Sequence, residues 1–408
     1  MADARPHAFP KLRAVDVRPS RAHPQAIELF DPGGITESVL SLSPAAFTVL
    51  VLMDGTHDRP GIQAEFMRRH GRMLFSDELD ELIRQLDKSL FLEGGRFAAR
   101  MEALQQAYRS APHRPIRNPE TLGAPLDRLG AYFDSMLDGE PENSGQPILG
   151  LIAPHLDYDR GRPCYAAAYR NLAERTDATR FIILGTNHFG RSAAVVGTRK
   201  DFDTPFGVVP CDVDLMDRLD ARCGTELCAN ELDHAREHSI ELQVLLLKHL
   251  LGPRRFTIAP FLCPDPCGDS GTAPRDGRGI DLKDFAAALR AELDADGEAT
   301  CLIAGADLSH VGRFFQDDRA LDANGLGAVE RSDRQALEKI EASDPEGFRL
   351  AVASRGNDTN ICSVGCIYVL SSVLREKSRP QILHYHRAVV PKAENCVTCA
   401  AVEFVREP

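Results

Sequence analysis

Apolar positions change their spacing twice along the chain, and those changes mark its organisation. Residues 1–25 carry Pro, Arg and His without a sustained apolar pattern, which predicts a disordered or extended N-terminus. Ala26–Phe30 reads as a short strand closed by the turn Asp31-Pro32-Gly33-Gly34. Three helical stretches follow. Ser43-Pro44 has the cap-then-proline signature of a helix start, and that helix carries Phe47, Leu50, Val51 and Met53 to a stop at Asp54-Gly55. Pro60–Gly71 is a second helix. Ser76–Leu90 is a third, with Ser76 as N-cap and Leu79, Leu82, Ile83 and Leu86 on one face. Phe91-Leu92 and Arg96-Phe97, on either side of Gly94-Gly95, predict a small hairpin. Residues 26–105 therefore read as a small, mainly helical domain with a terminal β wing. Residues 106–146 read as a linker punctuated by Pro112, Pro115, Pro119 and Pro125, with a helix over 126–137 and a loop over 139–146.

From Pro147 the period alternates between strand and helix. Apolar runs at Ile148–Pro154, Phe181–Gly185, Phe256–Phe261, Cys301–Ala304, Gln381–Val389 and Cys399–Val405 predict strands. Between them Tyr165–Arg175, His238–Leu251, Leu282–Leu293, Arg334–Ile340 and Cys366–Leu374 predict helices. Alternation of this kind gives a layered α/β sheet domain over 147–408.

Composition narrows the possibilities. At 408 residues with 43% hydrophobic content, the chain suits two domains with full cores and no disulfide framework. The net charge of -12 disfavours nucleic acid, whose affinity rests on clustered Lys and Arg. The front domain's third helix opens on Asp77, Glu78, Asp80 and Glu81, which suits a helix N-terminus and repels a phosphate groove. No run approaches the roughly 20 apolar residues of a membrane span, and Met1–Arg13 lacks the apolar core of a signal peptide. The 11 cysteines, an uneven number, all lie at or after Cys164, which points to reduced thiols and a cytoplasmic location.

Sites in open α/β sheets form beyond the carboxyl ends of strands, and three predicted strands end on polar signals. One presents His155, a second His188, and a third Asp307 and His310 within Asp307-Leu308-Ser309-His310. One such histidine is ordinarily structural; three converging strand ends make a metal or acid/base centre as good a reading as a structural one. His238 and Glu241 lie three apart near a helix start and can share a face, although Ser239 and Glu241 could equally serve as caps. A polar loop from Gly356 leads to Cys362 near a helix N-terminus, where the dipole favours thiolate over the buried thiol that most cysteines become. Cys366, one turn on, could form a regulatory disulfide with Cys362. Cys396 and Cys399 on a strand would face opposite ways, and a zinc site drawing on Cys263 and Cys267 is a weaker alternative to free thiols.

The ordered set Pro154-His155…Tyr158, Leu184-Gly185-Thr186-Asn187-His188, Asp203-Thr204-Pro205-Phe206-Gly207, Glu237-His238-Ser239-Ile240-Glu241, Asp307-Leu308-Ser309-His310 and Ile361-Cys362 resembles the Memo family, also called AmmeMemoRadiSam system protein B. The front domain's element order is similar to PqqD-like, winged-helix type domains. The Memo resemblance implies a fold like that of class III extradiol dioxygenases. It implies His155, His188 and Cys362 as metal ligands, with Cys362 where the dioxygenases use a carboxylate. It implies catalytic or site-contacting roles for His238, Asp307 and His310. Fe(II) is the implied metal, with Cu or Zn as alternatives. The implied function is an extradiol-type dioxygenase or other O2-linked oxidoreductase taking a small aromatic or peptide ligand, with radical SAM and AMMECR-type partner proteins. The alternative is a non-enzymatic, metal-containing binding protein with a vestigial cleft. Leu156-Asp157 stands where the family often has Ala-Gly, so Asp157 is expected to orient His155 or reshape the substrate mouth.

Overall fold

The computed structural model describes residues 7–20, 22–23, 25–117, 122, 125–139 and 145–407. Pro119, Glu140 and Glu142 of the expected linker fall outside them. The chain divides into two compact units, Met1–Ala111 and Pro112–Pro408.

In the first unit, β1 (Asp16–Pro19), β2 (Ile27–Phe30) and β3 (Leu40–Leu42) form an antiparallel sheet in the order β1-β2-β3. The expected disordered or extended lead thus contributes a strand, with Asp16 opposite Phe30. Its side chains are all exposed, so no apolar alternation announced it. Helices α1 (Pro44–Val51), α2 (Arg59–His70) and α3 (Ser76–Lys88) occur where expected. Ser43 caps α1, its hydroxyl accepting from Ala46 N. The N-cap of α3 is Phe75 rather than Ser76, and Glu78 reaches back to the Phe75 amide. The hairpin expectation fails. Leu92 bridges Leu12, and α4 (Gly95–Ser110) begins at once. Phe97, Met101, Leu104 and Tyr108 repeat at helical spacing there, and this period outweighs the Gly-Gly turn signal.

The second unit begins inside the stretch expected to be linker. Strand β4 (His113–Arg114) pairs in parallel with β8 (Asp201–Phe202), and helix α5 (Leu129–Leu137) buries Leu129, Phe133 and Met136. Pro112 and Pro115, part of the spacing that suggested a connector, flank β4.

The main sheet runs β11-β13-β5-β10-β6-β9-β7, with β12 on the other side of β13. Strands β5 (Ile148–Ala153), β10 (Thr300–Gly305), β6 (Arg180–Thr186) and β9 (Thr257–Cys263) are parallel. Strand β7 (Val196–Gly197) joins β9 antiparallel. On the far side β11 (Asp307–Val311), β12 (Ser378–Val390) and β13 (Asn395–Arg406) complete the sheet antiparallel. Both faces are covered, which is why the parallel strands read as unbroken apolar runs. Ile182, Leu184, Leu302 and Ala304 face a core shared with α7 (Val213–Cys223), α9 (Leu282–Asp296), α10 (Ala323–Glu341), α11 (Pro345–Ala353) and α12 (Val364–Leu374). Phe181, Ile183, Cys301 and Ile303 face the other core, with α5, α6 (Tyr158–Arg175) and α8 (Glu241–Leu251). Helix α6 starts a full two turns before its expected start because Asp157 caps it, accepting from Arg160 N, and it continues through Pro163. No helix among the described residues is long and apolar enough to cross a membrane.

Candidate functional site

The parallel strands end together, and so do the residues expected at their tips. His155 follows β5, His188 follows β6, and His238 lies just before α8. One ligand atom from each lies within 4.8 Å of the other two, and among the described residues they form the one group of His, Cys, Asp or Glu so arranged for a metal. The His155 and His188 rings meet edge to face at 4.9 Å, and His188 and His238 stack at 5.0 Å. Cys362 Sγ stands 3.4 Å from His155 Nε2.

Two of the imidazoles are held by a hydrogen bond at Nδ1, and a carboxylate stands near Nδ1 of the third. His155 Nδ1 lies 2.8 Å from Gly305 O, which can only accept, so Nδ1 carries the proton and Nε2 faces the cluster. His188 Nδ1 lies 3.0 Å from Glu237 Oε1, and His238 Nδ1 lies 3.3 Å from the same oxygen. Glu237 is fully buried and also accepts from the backbone amides of His188, His238 and Ser239. It is the main functional residue that the sequence reading left without a role. Its signal was position, a carboxylate directly before a candidate histidine.

Asp307 and His310 stand beside this cluster. Asp307 Oδ1 accepts from the amides of His155 and Leu156, and Oδ2 lies 3.5 Å from His155 Nε2. Asp157 instead caps α6 and pairs with Arg160, so the expectation that it orients His155 passes to Asp307. His310 Nδ1 is shared between Leu308 O and Asn360 O. Asn357 clamps the loop before Cys362, accepting from Ile361 N and donating to Ile361 O. Its φ of 50° is a conformation that Asn tolerates better than most residues.

Charge in the cluster is strongly coupled. Burial works against a charged His155, but Asp307 and the Cys362 sulfur overcome it and raise the imidazole to about 9. His188 is likewise raised, mainly by Glu237 against its burial. Burial, reinforced by His155 and His188, pushes His238 down to about 3. Burial would raise the Cys362 thiol, yet His155 and His310 hold it well below the usual thiol range. The set is therefore a thiolate among imidazoles, with one imidazole kept neutral.

The remaining cysteines stand outside the histidine cluster, although Cys263 lines the cleft beside it. All 11 are free. Cys366 turns to Ser363 O at 3.2 Å, burial pushes its thiol up to about 12, and both it and Cys362 are free thiols here. Cys263 and Cys399 belong to opposite cores and Cys396 to a third cluster, so no zinc site draws them together. A cleft of about 520 Å³ opens beside the centre, lined by Thr186, Asn187, Ser192, Cys263, Thr272 and Cys362. That volume suits a small-molecule ligand.

Residues 124–402 match the family model described as Memo-like protein. A MEMO1 family protein of Aquifex aeolicus is 26% identical over 372 residues, 90% of this chain and 91% of that one. This span is longer than the second unit, so the likeness reaches into the first. A relative from Thermus thermophilus is 26% identical over 79% of this chain and 92% of its own, and one from Methanopyrus kandleri is 31% identical over 55% and 71%. The mixed α/β sheet, the strand-end histidines and a family match across more than half of the residues together establish that this chain belongs to the Memo family.

Proposed function

We propose that this chain is a mononuclear metal protein in which His155, His188 and Cys362 hold the ion, with Fe(II) the native metal and Cu or Zn able to replace it. The observation that carries the reading is the donor set itself. Imidazole nitrogens of His155, His188 and His238 converge within 4.8 Å, the first two rings fixed through Nδ1, and a thiolate stands 3.4 Å from one of them. Imidazole with thiolate suits Fe, Cu and Zn, and carboxylates behind the histidines are the usual outer support of such sites. A bound Fe(II) would supply open positions for O2 and for a chelating substrate.

The chain's own residues do the rest. His238, kept neutral beside His155 and His188, is the proposed proton-handling residue of the cluster. Asp307 fixes the His155 backbone and balances the charge of its ring. Glu237 sets the orientation of His188 and His238 together. The cleft beside Cys362 takes a small aromatic or peptide ligand, and the reaction is an O2-linked oxidation. Radical SAM and AMMECR-type proteins are the proposed partners.

The test is metal analysis of anaerobically purified protein, followed by O2 uptake with catechol-type substrates. Stoichiometric Fe(II) together with substrate-dependent O2 uptake that His188→Ala abolishes supports the oxidoreductase. Bound metal without turnover supports a metal-containing binding protein instead. Absence of metal in wild type, with no change on His155→Ala, overturns both.

Metal affinity should also depend on pH in a defined direction. A protonated imidazole cannot ligate, so each displaced proton weakens binding about tenfold per unit below its pKa. With His155 raised to about 9, apparent affinity rises as pH increases toward that value. Competition titrations between about pH 6.5 and 8.5 should show this slope. A flat profile would mean that Asp307 and Cys362 do not hold the proton on His155.

A further inference from the structure

A second buried carboxylate lies behind the centre, on an element that the proposed chemistry does not use. Asp333 on α10 is fully buried, and its charge is met by three hydroxyls. Ser309 Oγ donates to Oδ1 at 2.6 Å, while Thr398 Oγ1 and Tyr385 OH donate to Oδ2 at 2.6 and 2.8 Å. Burial raises this carboxyl and the three hydroxyl bonds oppose the shift. A buried carboxylate without a paired cation is costly to keep. A pair of apolar side chains would fill the same space at less cost.

The partners show what the carboxylate holds. β11 and β13 pair at Asp307 with Cys399 and at His310 with Val397, with a register shift between the two pairs. The extra residue leaves Ser309 N without its ladder carbonyl, and it donates to Thr398 Oγ1 at 2.9 Å instead. Bulges next to sites re-aim side chains, and here the bulge separates Asp307 from His310. Ser309 Oγ also meets Thr359 Oγ1 at 2.8 Å, and the Thr359 carbonyl accepts from His310 N at 2.7 Å. Thr359 begins the segment Thr359-Asn360-Ile361-Cys362. One carboxylate thus ties together the strand bearing Asp307 and His310 and the loop bearing Cys362.

We infer that Asp333 is a positioning residue: with Ser309, Thr398, Tyr385 and Thr359 it pins the β11 bulge to the Cys362 loop and so sets where His310 and Cys362 stand. The inference rests on reading the histidine–cysteine cluster as the functional site.

The test compares Asp333→Asn, Thr398→Val and Thr398→Ser with Leu337→Val, a core change on the same helix that leaves the hydroxyl network alone. The probe is Co(II) alone, followed through affinity and the sulfur-to-cobalt charge-transfer absorption, beside hydrogen exchange of the metal-free protein. Asp333→Asn and Thr398→Val should weaken Co(II) binding about tenfold, the lower range for outer partners of a metal ligand, and reduce the charge-transfer band. Thr398→Ser, which keeps the hydroxyl, should stay close to wild type. Exchange should quicken within 307–311 and 357–362 and not across the sheet. Equal loss of Co(II) binding in Leu337→Val at matched thermal stability would overturn the inference, as would unchanged exchange in those two segments of Asp333→Asn. If wild type binds no Co(II), the metal reading fails and the exchange pattern alone decides the positioning role.

Discussion

Replacing Arg114 by methionine should destabilise the second unit by about 3–5 kcal/mol, the usual cost of removing one partner of a buried ion pair. Arg114 is 1% exposed and its guanidinium is committed to one segment. It donates to His234 O at 2.8 Å, to Glu237 O at 2.5 Å and to the Glu241 carboxylate, which is itself 2% exposed. Methionine fills much of the volume but leaves a buried carboxylate and two carbonyls without these donors. Adding Glu241→Gln should recover about 1–3 kcal/mol, because the carboxylate that lost this guanidinium is then neutral while the amide oxygen can still accept from Arg117 N at 3.1 Å. Urea unfolding of the two variants measures both effects. A single variant within about 1 kcal/mol of wild type would show that the pair only breaks even against its desolvation. Because residues 234–241 also carry Glu237 and His238, the same variant should loosen the support of His188.

Arg114 also shows where the sequence was silent. It sits between Pro112 and Pro115 in a stretch that reads as linker, and nothing local distinguishes it from a solvent-exposed arginine. Its partners lie 120 to 127 residues away. The strand tips were legible because each rests on a local pattern, an apolar run followed at once by a polar residue. His155, His188 and Asp307 could be named for that reason, and the parallel sheet then has little choice but to bring its carboxyl ends together; Cys362 was legible instead as a polar loop running into a helix start. Asp333 could not be named. It is one of four carboxylates on its helix, its neighbours Arg331 and Arg334 suggest a solvated face, and its role depends on three hydroxyls from three other elements. The β1 strand was missed for the opposite reason: it has regular backbone pairing but no buried side chain to give a period. Sequence pattern reports burial, so it misses structure made by backbone hydrogen bonds and roles made by long-range polar contacts.

The cluster offers two possible third ligands, and substitution should separate them. Cys362→Ala is expected to cost about a hundredfold in Fe(II) affinity. Zinc sites with four protein ligands bind with roughly 10–16 kcal/mol, so one ligand is worth about 3 kcal/mol, close to a hundredfold at 1.4 kcal/mol per tenfold. The fold should survive, because Cys362 stands in a loop ahead of α12 and its removal also relieves a buried charge. His238→Ala should cost about tenfold or less. Its ring shares Glu237 Oε1 with His188 but stands 3.3 Å from that oxygen, the longer of the two contacts. Kept neutral, His238 is free to act on a proton, so its loss should fall on turnover more than on metal binding. Cys362→Ser tests the sulfur itself: an alkoxide is unfavourable near neutral pH, so serine should resemble alanine and the charge-transfer absorption of the Co(II) form should vanish in both. The reverse order, with His238→Ala losing the metal and Cys362→Ala keeping it, would make the centre a three-histidine site and move Cys362 from ligand to neighbour.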